Sequence, residues 1–336
     1  MRKPDFNNIL KVLRCEVPDR PTLFEYFMNV PLYERLNRGK PFPEKDDLQQ
    51  LIFTLKAFEA AGYDYVHTLA SDFLFPVREH SQKSTISLNS SAVITDRDSF
   101  KAYPWPDPDD FDYSRLEKIA PYMPDGMKIM ASADSGVLES AIALAGFDNL
   151  CLMLYDDPDL VRDIFGEIGS RLVRYYEIAA KYETVGMMIS NDDWGFKSQT
   201  FLSRSDMQKY VYPWHKKITD AVHKSGKPVV LHSCGNLSEV MEDIIDYLHY
   251  DGKHSYEDTI MPVEEFYEKF HGRIAIMGGI DMNFMVKSAP EQVKERCRAM
   301  LKRAEVRGGY ALGTGNSVPE YLPQENYLAM IGTAME

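Results

Sequence analysis

"DMQKYVYPWHKKITDAVHKSGKPVVLHSCGN", residues 206–236, holds the unit from which the rest of the chain is built. Met207, Tyr210, Val211, Trp214, Ile218, Ala221 and Val222 recur at the spacing of one helix face. "SRSD" (203–206) offers N-cap residues ahead of them, and Gly226 closes the helix. A short apolar run follows and ends in the polar tip of His232, Cys234 and Asn236. Parallel strands need helical crossovers that cover the sheet, and a helix feeding a short apolar strand is half of such a unit.

The same order recurs. The strand-like runs are "PTLFEYF" (21–27), "YDYVHTLASD" (63–72), "MKIMASADSG" (127–136), "GMMISNDDWG" (186–195), "KPVVLHSCGN" (227–236), "YLHYDGKHS" (247–255), "RIAIMGGID" (273–281) and "GYALGTGNS" (309–317). A further helix is clear in "APEQVKERCRAMLKRA" (289–304), with Pro290 at its start and Val293, Cys297, Met300 and Leu301 along one face. Eight such strands point to an α/β fold of the (β/α)8 TIM-barrel kind. A doubly wound open sheet is the alternative, but no strand carries a Gly-rich dinucleotide fingerprint. The Pro- and Asp-rich stretch 102–126 reads as a surface excursion, and no linker divides the chain, so one domain over 1–336 is expected.

Composition narrows the partners. The net charge of −13 is spread along the chain, which disfavours nucleic acid and anionic membranes. No apolar run approaches the roughly 20 residues of a membrane span, and "MRKPDFNNIL" has no apolar h-region. Cys15, Cys151, Cys234 and Cys297 are widely scattered, which suits reduced thiols in a cytoplasmic protein. All but Cys234 fall in helical patterns and read as structural.

Barrel chemistry gathers where strands end, and here the tips are polar: Glu25, Asp72, Asp134, Asp193, His232, Cys234, His254, Glu257, Asp281 and Asn316. His232 and Cys234 stand two apart on a strand, so they share a face, and an imidazole beside a thiolate is half a zinc site. The plain alternative is a buried cysteine and a hydrogen-bonded core histidine. In "NDDWG" the adjacent aspartates face opposite ways, so one caps a loop and one reaches the mouth. Asp193 is the expected ligand, with Trp194 as a wall for an apolar or aromatic molecule. In "DGKHSYED" (251–258), Lys253 and Asp258 read as solvated, while His254 or Glu257 could act as a further ligand or acid–base group. The glycines of "GGID" and "GTGNS" allow close approach to a ligand, though tight turns alone explain them.

Taken together, "HTLASDFLFP" (67–76), "DDWGFKSQTFLSRSDMQKYVYPWHKKI" (192–218), "GKPVVLHSCGN" (226–236), "IAIMGGID" (274–281) and "GNSVPEYLPQENYLAM" (315–330) resemble the uroporphyrinogen decarboxylase superfamily over nearly the full length. That resemblance implies a (β/α)8 barrel and two branches to choose between. Decarboxylases carry an arginine-bearing N-terminal motif, where this chain reads "RPTLFEYFMN" (20–29) with Glu25. Asp72 does match their pyrrole-binding aspartate, but their late histidine falls at Asn316. The other branch, zinc methyltransferases working with corrinoid proteins, carries H-x-C, matched by His232 and Cys234, and a later cysteine, replaced here by Asn316. Oxygen from Asp193, Glu257 or Asn316 would then complete the zinc shell, and a harder, oxygen-rich zinc would suit a methoxy substrate.

The resemblance thus implies a zinc-dependent methyltransferase moving a methyl group between a small molecule and a separate corrinoid protein. Asp72, Asp193 and Glu257 are its expected catalytic groups, and Glu25, Trp194, His254, Asp281 and Asn316 its expected substrate contacts. His232 and Cys234 are the expected metal ligands. No corrinoid-binding module is legible in the chain itself, and a homodimer is an allowed assembly. The rivals are a carboxy-lyase of porphyrin metabolism built on Asp72, and a non-catalytic scaffold with a degraded site.

Overall fold

The computed structural model describes residues 2–77, 89 and 92–336. Among the described residues seven strands, β1 (Tyr65–Leu69), β2 (Lys128–Ser132), β3 (Val185–Asn191), β4 (Val229–His232), β5 (Gly252–His254), β6 (Ala275–Met277) and β7 (Tyr310–Ala311), form one sheet. They pair side by side in chain order, and every pairing is parallel. The strands are short, and β2, β4, β5 and β6 are buried along almost their whole length, as a parallel sheet covered by helices requires. Helices carry the crossings: Val137–Ala145, Phe147–Asp156 and Pro158–Ala179 join β2 to β3, Tyr212–Lys224 leads into β4, and Pro290–Ala304 leads into β7.

The expected first strand, 21–27, does not form. This run touches the β7 side through the Leu23–Leu312 bridge, with Phe24 N donating to Leu312 O and Leu312 N to Thr22 O. On its other side Glu25 N donates to the Tyr65 hydroxyl instead of a strand carbonyl. Pro21 has no N–H to give to a ladder. A side-chain hydroxyl thus replaces backbone pairing between 21–27 and β1, and the eighth position holds a tie, not a strand.

The helix expected over 206–226 is present in three pieces: Arg204–Asp206, a π-turn at Met207–Val211, and Tyr212–Lys224. Ser203 caps it, accepting from Asp206 N at 3.1 Å, and Gly226 turns the chain at φ 72°. Pro213 lies in the first turn of the last piece, and its missing N–H accounts for the widened turn before it. Pro290–Ala304 buries Val293, Cys297 and Met300, as its periodicity predicts.

Two expectations need correcting here. Cys15 lies beyond the helix Asn7–Leu13, in a left-handed turn at φ 57°. Lys253 is buried, because it belongs to β5 and not to a solvated loop. The stretch 102–126 forms short helical turns whose Tyr113, Leu116 and Ile119 are buried, while Asp109 pairs with Arg174. Among the described residues no single helix is long and apolar enough to cross a membrane.

Candidate metal centre

β3 and β4 run side by side with Asn191 opposite His232, so the residues just past their ends meet. Donor atoms of Asp193, His232 and Cys234 come together there, all within 4.8 Å of one another. The Sγ of Cys234 stands 3.9 Å from Nε2 of His232. Asp193 Oδ1 accepts from Cys234 N at 2.7 Å, which locks the two tips together.

Cys234 is not a strand residue, since β4 ends at His232. It is brought back to the cluster by the turn that follows. Gly235 adopts φ 92°, and a Cβ there would lie 2.2 Å from Gly195 O. Only glycine lets this turn seat on the loop after β3. Ser233 N donates to His254 O and Asn236 N to Phe196 O, fixing the turn from both sides.

Burial governs the charges. Desolvation, then the nearby Asp193, pushes the Cys234 thiol up to about 12. Burial likewise raises Asp193 and lowers His232 well below the usual imidazole range. A cation at the cluster would offset the cost of a buried Cys234 thiolate and Asp193 carboxylate, and burial already keeps His232 in the neutral form that binds metal. The donors present, one oxygen, one nitrogen and one sulfur, are those zinc accepts.

His254 lies opposite His232 in the β4–β5 register. The two Nδ1 atoms are 2.8 Å apart, and His254 Nε2 lies 3.2 Å from Thr314 O. His254 is therefore behind the cluster and does not line an open face of it. Asn316 Nδ2 donates to Cys234 Sγ at 3.3 Å, while its Oδ1 accepts from Ser317 N at 2.7 Å. Its oxygen is thus turned away from the cluster.

Other expected residues lie elsewhere. Asp72 is exposed and paired with Arg115. Glu257 pairs with Lys197 at 3.1 Å. Asp281 caps the helix Met282–Lys287 through Phe284 N and also accepts from Asp258 N. Trp194 is fully buried against His215, its Nε1 donating to Asp192, and so forms no open wall. Glu25 is fully buried with Thr314 Oγ1 on both carboxylate oxygens, and burial raises it to about 8.

The capping role foreseen for one aspartate of "NDDWG" falls to Asp192, which accepts from Leu138 N and Glu139 N of another helix. Three residues near the cluster were missed. Tyr26 packs on His232 and His67, with ring centroids 4.9 and 4.7 Å away. His67 holds the Ser132 hydroxyl at 3.0 Å. Glu139 is raised to about 8, by burial first and then by Asp192 and Asp193. Nothing in "SGVLES" marks that glutamate, since acidic residues are ordinary in a first helical turn.

Comparison with known proteins agrees with this architecture. Residues 6–336 match the family described as Uroporphyrinogen decarboxylase (URO-D). The uroporphyrinogen decarboxylase of Anaeromyxobacter sp. (strain Fw109-5) is 25% identical over 189 residues, 55% of this chain and 51% of that protein. That of Carboxydothermus hydrogenoformans is 24% identical over 52% of this chain and 47% of its own length. The chain thus spans about half the length of the curated relatives it matches. Among solved structures, a methyltransferase from Methanosarcina mazei superposes with a TM-score of 0.70, covering 98% of this chain and 97% of its own at 15% identity.

Proposed function

This chain belongs to the uroporphyrinogen decarboxylase family, and within it we propose a zinc-dependent methyltransferase. The reaction moves a methyl group between a small molecule, a methoxy compound among the candidates, and a separate corrinoid protein. The observation that carries this reading is the meeting of Asp193, His232 and Cys234 at the ends of β3 and β4. Three protein ligands leave a fourth position for substrate, as catalytic zinc sites do. Zinc held there would supply Lewis acidity, either polarising an ether oxygen or lowering the pKa of a thiol.

The chain's own groups do the rest. Asn316 Nδ2–H donates to the sulfur of Cys234 and stabilises negative charge on it. Asp193 takes the place expected of a later cysteine, giving the more oxygen-rich set that suits an ether. Tyr26 covers one side of His232 and limits water there. Glu139, a half-buried acid beside Asp193, can hold a proton and release it to a leaving group. The reading takes 21–27 as standing in the eighth place of a barrel, one domain over 1–336, and the cytoplasm as setting. The carboxy-lyase alternative loses support because Asp72, on which it rests, is exposed and paired with Arg115.

Metal analysis after purification without chelator tests the reading. Wild-type protein should carry about one zinc, and Cys234→Ala should lower occupancy sharply. Equal absence of metal from both proteins would end the zinc proposal.

A further inference from the structure

We propose that His254 is a positioning residue that holds His232 in the one tautomer able to ligate metal, with the carbonyl of Thr314 as its anchor. This rests on the reading that the Asp193–His232–Cys234 cluster takes a metal ion, and it concerns groups behind that cluster.

The assignment follows from counting hydrogens. A carbonyl oxygen only accepts, so the 3.2 Å contact between His254 Nε2 and Thr314 O needs the hydrogen on Nε2. His254 is fully buried, and no carboxylate is hydrogen-bonded to its ring. A second hydrogen would make it a buried cation without a partner, a state folding avoids. Its Nδ1 is therefore bare and accepts. The 2.8 Å contact between the two Nδ1 atoms then needs a hydrogen from the other side, so His232 Nδ1–H donates to His254 Nδ1. One hydrogen remains per neutral imidazole, which leaves His232 Nε2 bare. That is the atom 3.9 Å from Cys234 Sγ, inside the cluster.

The surroundings keep His254 from turning over. Phe24 meets its ring edge-on at 5.2 Å, and Gly278 passes close on another side. A Cβ at Gly278 would lie 2.4 Å from Thr314 O and 3.3 Å from His254 Nε2. The glycine, at φ 74°, makes room for this very hydrogen bond. Register supplies the pairing itself, because His232 and His254 are direct partners across β4 and β5. A ring flip of His254 would point carbon at Thr314 O, and His232 would lose its only acceptor at Nδ1.

Partners behind a ligating histidine typically contribute tenfold to a hundredfold in metal affinity. His254→Leu, which removes acceptor and donor, should weaken zinc binding by about that factor in a chelator competition. His254→Asn keeps an acceptor for His232 Nδ1–H and should stay closer to wild type. Independently, long-range nitrogen–proton correlation on metal-free wild-type protein should show His232 hydrogenated at Nδ1 and bare at Nε2, and His254 the reverse. A His232 hydrogenated at Nε2 overturns the proposal, and so does a His254→Leu protein that binds zinc as tightly as wild type. Wild-type protein that binds no zinc would defeat the metal reading alone, since the spectrum of metal-free protein decides the tautomer either way.

Discussion

Glu25 shows how burial sets the behaviour of a single residue. Its oxygens reach the hydroxyl and backbone of Thr314 and the backbone of Tyr26, and burial raises its carboxyl from the ordinary 4.5 to about 8. The folded protein therefore holds this proton where the unfolded chain has released it. Its stabilising effect is complete below pH 4.5 and fades as pH rises through about 8. At most about 5 kcal/mol is at stake across that window. Glu25→Gln keeps the shape without the titration, so its melting temperature should fall less than that of wild type between pH 5 and about 8.5. Parallel melting curves for the two proteins would refute the assignment. The grouping of Asp193, His232 and Cys234 was legible in part, because H-x-C at the end of one strand and an aspartate just past its neighbour put three donors at adjacent tips. Burial of Glu25 and Trp194 was not legible, because a polar or aromatic residue at a strand's end reads the same whether it faces a mouth or a packed wall. The same limit applies to Asp281, whose bond from the distant Asp258 N has no local signature.

At the scale of elements, the turn after β4 decides whether the cluster assembles. His232 ends the strand, and Cys234 is aimed by a turn that needs Gly235 in the left-handed region. Gly235→Ala would place a Cβ 2.2 Å from Gly195 O. It should destabilise the protein by about 1–3 kcal/mol, combining backbone strain with displacement of the β3 loop. Zinc occupancy should fall with it, because Asp193 Oδ1 and Cys234 N are joined across the displaced contact. A variant with wild-type melting temperature and full zinc content would show that the turn has slack. Periodicity located this helix–strand unit well, since Met207, Val211, Ile218 and Val222 are all buried. It could not reveal the π-turn at Met207–Val211, which arises from one missing N–H at Pro213 and leaves the apolar spacing almost unchanged.

Across the whole molecule, helix–strand alternation predicted a parallel sheet in chain order, and seven of eight strands formed. The run 21–27 had strand-like residues, but its pairing depends on a tyrosine hydroxyl from β1, a contact with no local signature. The assembled molecule also frames the last prediction. Methyl transfer from an ether needs a strong nucleophile in line with the activated carbon. Cys234 belongs to the proposed metal cluster, Cys297 is buried on its helix, and burial raises the thiols of Cys15 and Cys151. None of these thiols is placed or ionised to take the methyl group. The reduced cobalt of a corrinoid protein is such a nucleophile, and it would have to approach over the ends of β3 and β4, where the cluster lies. Conversion of a methoxy substrate should therefore be undetectable with this chain alone and appear when a reduced corrinoid protein is added. The change in the cobalt absorption spectrum on methylation reports it directly, and Cys234→Ala should abolish that change. Methyl transfer by the isolated chain, with no corrinoid present, would refute the mechanism.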